Sequence, residues 1–233
     1  VEVIVCTEEN EPYRHERYQA VHEFAQKEFR DNRVNVRTLG LHFEQNPESP
    51  GFWDKWVDIM DSYGAQPGDY YVTSEAYGAT MAKLMDGIFM PYDPERRLYY
   101  TKATKIRQEM TKYFHDILPE FQHHLRTNIV IFGAESTGKT TLSEKLSDAV
   151  NGHWLFEWAR PYLETVGPEI HKDSMEAIWK GQRALQDHTR YMYDKPFAIF
   201  DTDLFSTVGY WEQPHWSEAL GPVPDELVKD ALE

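Results

Sequence analysis

Only one cysteine, Cys6, occurs in the 233 residues. No intramolecular disulfide is available, and nothing in the cysteine usage points to secretion. No run approaches the ~18 consecutive apolar positions of a membrane-spanning helix. The opening residues Val1-Glu2-Val3-Ile4-Val5-Cys6 lack the charged and then apolar make-up of a secretory leader, so a cytoplasmic location is expected. Positive charge is scarce: 24 Lys+Arg face 39 Asp+Glu, a formal net charge of −15. Broad attraction to nucleic acid or to an anionic membrane is therefore not expected. Any phosphate group needs a local site built to hold it. Internal repeats, low-complexity tracts and a flexible Gly/Ser linker are also missing.

The composition present is that of a soluble globular protein, 41% hydrophobic and 27% charged. Aromatics make up 14%, with seven tryptophans and fourteen tyrosines, enough large side chains to fill a core. At roughly 100–200 residues per domain, the length allows one large domain or two small ones.

Strand-like and helix-like segments alternate, which predicts an α/β fold with parallel sheets. Strands are expected over 3–6, 34–39, 69–73 and 88–92, and helices over 16–29, 52–60 and 75–84. The first helix rests on Tyr18, Val21, Phe24, Ala25 and Phe29, at spacings of three and four. A charged helix is expected from 104 to about 125. The pattern restarts at Arg126-Thr127. Asn128-Ile129-Val130-Ile131-Phe132 reads as a strand buried on both faces. Two more buried strands are expected over 153–156 and 196–200, with a long helix over about 174–193 between them. A boundary near 118–127 gives a first domain over 1–120 and a second over 127–233, closely packed for want of a flexible linker. The opening strand has no lead-in and the helix over 224–233 simply stops. The chain is therefore read as a fragment cut at both ends, against the alternative of a processed N-terminus and a frayed last helix.

Gly133-Ala134-Glu135-Ser136-Thr137-Gly138-Lys139-Thr140, followed by Thr141, matches G-x-x-x-x-G-K-[ST] at every fixed position. Chance would produce such a match in a chain this long on the order of one per cent of the time. The motif follows a strand and opens a helix, as its mechanism requires. Its glycines let backbone N–H groups turn inward to hold phosphate. Lys139 would bridge the β- and γ-phosphates, and the Thr140 hydroxyl would coordinate Mg²⁺. The plain alternative is an ordinary glycine-rich turn.

Asp201 and Asp203 stand at the end of an apolar strand, where a Mg²⁺-linked carboxylate of such folds sits. Asp203 is equally well placed to cap the next helix. Glu157 follows another strand, with Arg160 one helical turn on. The glutamate could accept the proton of an attacking hydroxyl and the arginine could hold it or a phosphate, or the two form a surface ion pair. In the first half, Thr101–Arg107 includes Thr104 and Arg107 at a helix start, a weak phosphate-binding signal. Trp53 and Trp56 share a helical face, a spacing that core packing also explains. Ser74, before Glu75, is a helix cap or a ligand contact. His123 and His124 should point apart on a helix, which makes a metal site there improbable.

Taken in order, these segments resemble the bifunctional nicotinamide-nucleotide adenylyltransferase/ribosylnicotinamide kinase family. Trp53-Asp54-Lys55-Trp56 is similar to its Trp-Asp-x-Trp box, and Tyr71-Val72-Thr73-Ser74-Glu75 to its strand ending in Ser-Glu. Asp93-Pro94-Glu95-Arg96 and Thr101–Arg107 resemble its Asp-Pro-x-Arg and Ile-Ser-x-Thr-x-Ile-Arg segments. The loop over 133–140, the stretch 156–160 and Asp201-Thr202-Asp203 follow. The resemblance implies a nucleotidylyltransferase-like, Rossmann-type domain followed by a P-loop kinase domain. It implies ATP, nicotinamide riboside and nicotinamide mononucleotide as substrates, Mg²⁺ as cofactor, and no nucleic-acid or membrane partner. A homo-oligomer is left open. Trp53, Trp56, Ser74 and Glu75 would bind the nicotinamide nucleotide, Thr104 and Arg107 its phosphates, and Arg160 the kinase substrate. Lys139, Glu157, Asp201 and Asp203 would be catalytic, with Thr140 and Asp201 on the metal. The family's paired-histidine ATP motif would lie before Val1 and its kinase lid beyond Glu233. Lys102 stands where the family has serine. Two rival readings are a P-loop kinase of another nucleoside with a scaffold first half, and a nucleotide-sensing regulator, for which no helix-turn-helix or basic face is found.

Overall fold

The computed structural model describes residues 1–30 and 33–232. The chain runs β1 (Glu2–Glu8), α1 (Arg14–Glu28), β2 (Asn35–Leu41), α2 (Phe52–Ser62), β3 (Tyr70–Thr73), α3 (Tyr77–Leu84), β4 (Ile88–Pro91) and α4 (Ala103–Gln108). It continues with α5 (Pro119–Leu125), β5 (Thr127–Ile131), α6 (Lys139–Ala149), β6 (His153–Leu155), α7 (Ala159–Val166) and α8 (Lys172–His188). The last elements are β7 (Phe197–Asp201), α9 (Leu204–Trp211), α10 (Pro214–Leu220) and α11 (Asp225–Leu232). The expected final helix is thus present, with Glu233 outside the described residues. No helix among the described residues is long and apolar enough to cross a membrane.

Two compact units emerge. The first holds Val1–Arg14 and Val34–Glu109, the second His15–Arg33 and Met110–Glu233. The segment 118–127 falls inside the second unit, and so does most of α1, whose Lys27 pairs with Glu120 of α5 at 3.3 Å. In the first unit β1 pairs with β2 and β3 with β4, both in parallel. Phe52, Met81, Ala82 and Met85 are buried there. The helix expected from 104 to 125 is broken. α4 ends at Gln108, a short 3₁₀ turn spans Phe114–Asp116, and Leu118 is extended before Pro119 opens α5. Proline disfavours helical backbone in the residue before it but suits the first helical position.

The second unit carries a parallel sheet in the order β5-β7-β6. That order corrects the expectation of three buried strands. β7, with two neighbours, has Ala198, Ile199 and Phe200 buried. Among the described residues β5 is an edge, with Val130 exposed and Phe132 beyond it 70% exposed; Trp154 and Phe156 around β6 are partly exposed too. The main core lies among helices instead: Met175, Ile178 and Trp179 of α8 pack with Leu204 and Trp211 of α9, Leu220 and Leu227. His123 and His124 also differ from expectation, their ring centroids lying 3.8 Å apart. Burial first, then the neighbouring His124, pushes the His123 pKa down to about 4. A neutral ring meets its neighbour without charge repulsion.

Arg126 staples this unit. It is buried, and its guanidinium donates to the carbonyls of Lys195 (3.1 Å), Thr189 and Met192. The start of β5 is thereby tied to the end of α8 and to the approach to β7. Arg126→Met would leave three carbonyls short of a donor. The expected loss is about 3–5 kcal/mol of unfolding free energy, read from urea denaturation. A loss below about 1 kcal/mol, the worth of one ordinary hydrogen bond, would count against the staple.

Candidate functional site

β5 delivers the chain to the loop over 133–140, and α6 leaves from it. Gly138, the N-cap of α6, has φ 90°, a left-handed conformation that side chains resist. Thr137 Oγ1 donates to the Ala134 carbonyl at 2.7 Å, and Lys139 Nζ donates to the same oxygen at 3.0 Å. No side chain caps the first turn of α6. Its N–H groups and the positive end of the helix dipole therefore face an anion's position. Thr140 Oγ1 accepts from Arg160 at 3.3 Å, and Arg160 also reaches Glu157 Oε2 at 3.3 Å. The loop and the end of β6 are thus linked through one guanidinium.

The carboxylates divide by role. Asp203 Oδ1 accepts from the Ser206 backbone N–H at 3.3 Å, as the N-cap of α9. Asp201 ends β7, is 1% exposed, and its Oδ2 has no hydrogen-bond partner. A buried carboxylate oxygen left so calls for a cation or a donor. Asp201 and the Thr140 hydroxyl are oxygen donors of the kind Mg²⁺ takes, one or two from the protein beside substrate phosphates and water. Among the described residues no group of three or more His, Cys, Asp and Glu could hold a metal by itself, so phosphate oxygens would have to complete the shell. Glu157 forms the i, i+3 ion pair with Arg160, yet its side chain is only 21% exposed. Burial raises its pKa, Arg160 opposes that, nearby Asp201 raises it further, and Lys139 lowers it.

A cavity of ≈ 330 Å³ opens beside the loop and beyond the ends of β6 and β7. Glu135, Glu157, Gln182, Tyr210 and Trp216 line it together with apolar residues such as Met175. None of its lining residues is Lys or Arg. Tyr210 is pushed up to about 12, mainly by burial and then by its contact with Glu135.

In the first unit the expected residues do not converge in the same way. Trp53 and Trp56 are half-buried around Phe52, at ring-centroid distances of 5.1 and 6.4 Å, and Trp56 also meets Phe43 at 6.0 Å. Ser74 is not the cap of α3, because that helix starts at Tyr77 with Ala76 at its N-cap. Thr73 makes the turn instead, its hydroxyl donating to the Glu75 carbonyl and accepting from the Glu75 N–H. Glu75 is held by Arg96 at 2.8 Å and by Lys102 at 3.2 Å, and these partners lower its pKa. Thr104 is exposed on α4, and Arg107 lies 3.7 Å from Glu11.

Sequence reasoning gave no role to Asp93, whose carboxylate accepts the backbone N–H groups of Arg97, Leu98 and Tyr99 at 2.7–3.0 Å. These bonds, that of Tyr99 foremost, hold its pKa below the usual carboxylate value. It also passed over Gln182 and Tyr210. The available signal was Gly181-Gln182 inside a long helix, since a mid-helix glycine costs about 1 kcal/mol against alanine and asks for a reason.

Known proteins resemble parts or all of this chain. A family model described as an AAA domain matches residues 128–232. The trifunctional NAD biosynthesis/regulator protein NadR of Salmonella typhimurium is 26% identical over 186 residues, covering 76% of this chain and 45% of the relative. Its Escherichia coli counterpart is 25% identical over 187 residues, with the same coverage. The chain is similar to these NadR proteins over 76% of its length. It spans less than half the length of these curated relatives. Two solved structures share the fold of this chain. The crystal structure of NadR protein in complex with NR has a TM-score of 0.66 at 21% identity, covering 99% of this chain and 68% of the other. That of NadR protein in complex with NAD and AMP-PNP has a TM-score of 0.65 at 21% identity, covering 100% and 69%. The α/β fold with parallel strands stands on the topology and on this likeness.

Proposed function

We propose that the second domain, 127–233, phosphorylates nicotinamide riboside at its 5′-hydroxyl with ATP, and that the first, 1–120, joins nicotinamide mononucleotide to AMP from ATP to give NAD and pyrophosphate. The observation that carries the kinase reading is the cavity beside the loop, which has Glu135 and Glu157 in its lining and no Lys or Arg. Two carboxylates with aromatic and apolar walls suit an acceptor with a cationic aromatic ring and repel an anionic one. The relatives' names refer to NAD biosynthesis, and the solved structures hold NR, NAD and AMP-PNP. These support a pyridine riboside as acceptor and ATP as donor.

In this reading the loop amides and Lys139 hold the donor's phosphates. Thr140 and Asp201 would hold Mg²⁺, which offsets phosphate charge when bound. Glu157 accepts the proton of the riboside 5′-hydroxyl, the oxygen attacks the γ-phosphorus, and the bond to ADP breaks. Arg160, already on Glu157 and Thr140, orients the base and the acceptor. Asp203, engaged as a helix cap, serves position more than proton transfer.

The test supplies the full chain and MgATP with nicotinamide riboside or with uridine, and measures the phosphorylated product. Nicotinamide riboside is expected to win by at least about 10-fold in kcat/KM, the scale of one lost favourable contact. A preference for uridine would hand the site to another nucleoside.

For the first domain, Trp53 or Trp56 is expected to stack on the nicotinamide ring, and Thr104 and Arg107 to meet phosphate. Each indole is only half-buried, which leaves surface for a ligand. A cationic ring over an indole contributes about 0.5–2 kcal/mol. Leucine at each position keeps bulk and removes the π-face. Affinity for nicotinamide mononucleotide should then weaken in one variant by about 2- to 30-fold. Unchanged affinity in both would return the two residues to packing around Phe52.

A further inference from the structure

We propose that Gln182 is a positioning residue for phosphoryl transfer, tying the segment that bears Glu157 to the strand end that bears Asp201. The proposal rests on the kinase reading above and adds to it how the site keeps its shape. Gln182 lies on α8 and is 2% exposed. Its Oε1 accepts from the Trp158 backbone N–H at 3.0 Å, and its Nε2 donates to the Thr202 carbonyl at 3.4 Å. Trp158 is the residue after Glu157, and Thr202 the residue after Asp201. One amide therefore spans the two segments that must keep base and metal-side carboxylate in register.

Both segments need an external hold. β6 is three residues long and, among the described residues, pairs with β7 alone, so the sheet guides the chain only as far as Leu155. Thr202 has φ 85°, a conformation that a β-branched residue adopts only when its surroundings enforce it. Gly181 completes the seat. A Cβ there would lie 1.8 Å from Trp158 Nε1 and 2.3 Å from its Cδ1, so only glycine lets the indole rest against α8. An apolar side chain at 182 would fill the same volume without satisfying either backbone group. A carboxylate would serve the Trp158 N–H and set its charge against the Thr202 carbonyl.

The experiment compares wild type, Gln182→Met and Gln182→Glu in the full chain, after circular dichroism has confirmed the fold. Three quantities are read: hydrogen exchange at the Trp158 amide, kcat and KM for riboside phosphorylation, and ATP hydrolysis without riboside. In Gln182→Met the Trp158 amide is expected to exchange faster. Its kcat should fall by about 10- to 100-fold, the scale of a displaced supporting contact, while the KM for ATP stays within about threefold because the phosphate loop is untouched. Gln182→Glu should retain more of the Trp158 protection and still lose rate. A kcat within about twofold of wild type, far below that scale, in a folded Gln182→Met variant would overturn the proposal. So would an unchanged Trp158 exchange rate. A wild type that hydrolyses ATP but leaves the riboside untouched would refute the acceptor assignment alone, and Gln182 is then judged by the same thresholds on ATP hydrolysis. If the wild type turns over no ATP, the proposal is judged on the Trp158 amide and on the Mg²⁺ dependence of ATP affinity, and no change in either overturns it.

Discussion

Lys139→Ala is expected to reduce phosphoryl transfer by at least about 10²- to 10³-fold while the fold is retained. The lysine opens α6 and reaches across the loop to the Ala134 carbonyl at 3.0 Å. In the proposed reading its ammonium meets the donor's phosphates, where charge on the transferring phosphoryl group grows. A preorganised positive charge acts more strongly on that growing charge than on the ground state, so the loss falls on the rate. The structural cost is small. One exposed hydrogen bond to a loop carbonyl is exchanged for water, worth about 0.5–1.5 kcal/mol, and Lys139 lies outside the cluster around α8 and α9. Single-turnover kinetics with saturating MgATP, beside circular dichroism, separates the two effects. Transfer at the wild-type rate would remove the loop from the chemistry.

How far the sequence could be read depends on how local each cause is. The phosphate loop is local: its glycines, lysine and threonine stand within eight residues, and the strand before it and helix after it appear as expected. The choice between Asp201 and Asp203 was nearly local. Ser206, three residues on, supplies the N–H that makes Asp203 the cap. The burial of β5 was not legible, because Ile129-Val130-Ile131-Phe132 is as apolar as the central strand. Only the pairing order, which joins residues about seventy positions apart, makes it an edge. The same holds for Arg126 and Gln182. As sequence they are ordinary polar residues, and their partners lie from 20 to 69 positions away. The helix start at Pro119 was legible, but a charge-rich pattern masked the interruption before it. In the first half both indoles meet Phe52, and spacing alone cannot distinguish a ligand from Phe52 as the neighbour.

Glu157→Gln is expected to lower kcat by about 10²- to 10⁴-fold, the range for loss of a general base. The case is positional and electrostatic together. In an open parallel sheet, ligands bind beyond the carboxyl ends of the strands. β5 leads there to the phosphate loop, β7 to Asp201 and β6 to Glu157, which lines the cavity. Burial, and Asp201 behind it, raise the Glu157 pKa against the pull of Arg160 and Lys139. A base works deprotonated, so the acid limb of the kcat/KM profile should lie above the usual carboxylate range, and the glutamine variant should lack it. Stability gives a second reading with its own sign. A carboxyl whose pKa is higher in the folded state binds more protons there than when unfolded. Its contribution therefore favours folding at low pH and is lost as pH rises from the ordinary glutamate value through the raised one. Glu157→Gln should remove that decline, leaving the variant at neutral pH at least as stable as wild type although far slower. Asp203→Asn is the comparison. Asparagine caps a helix as well as aspartate does, so its rate should stay within about threefold, well short of the general-base range. If Glu157→Gln keeps a rate that close to wild type, the residue is no more than the surface partner of Arg160, and the base must be sought elsewhere in the cavity, with Glu135 the first carboxylate to examine.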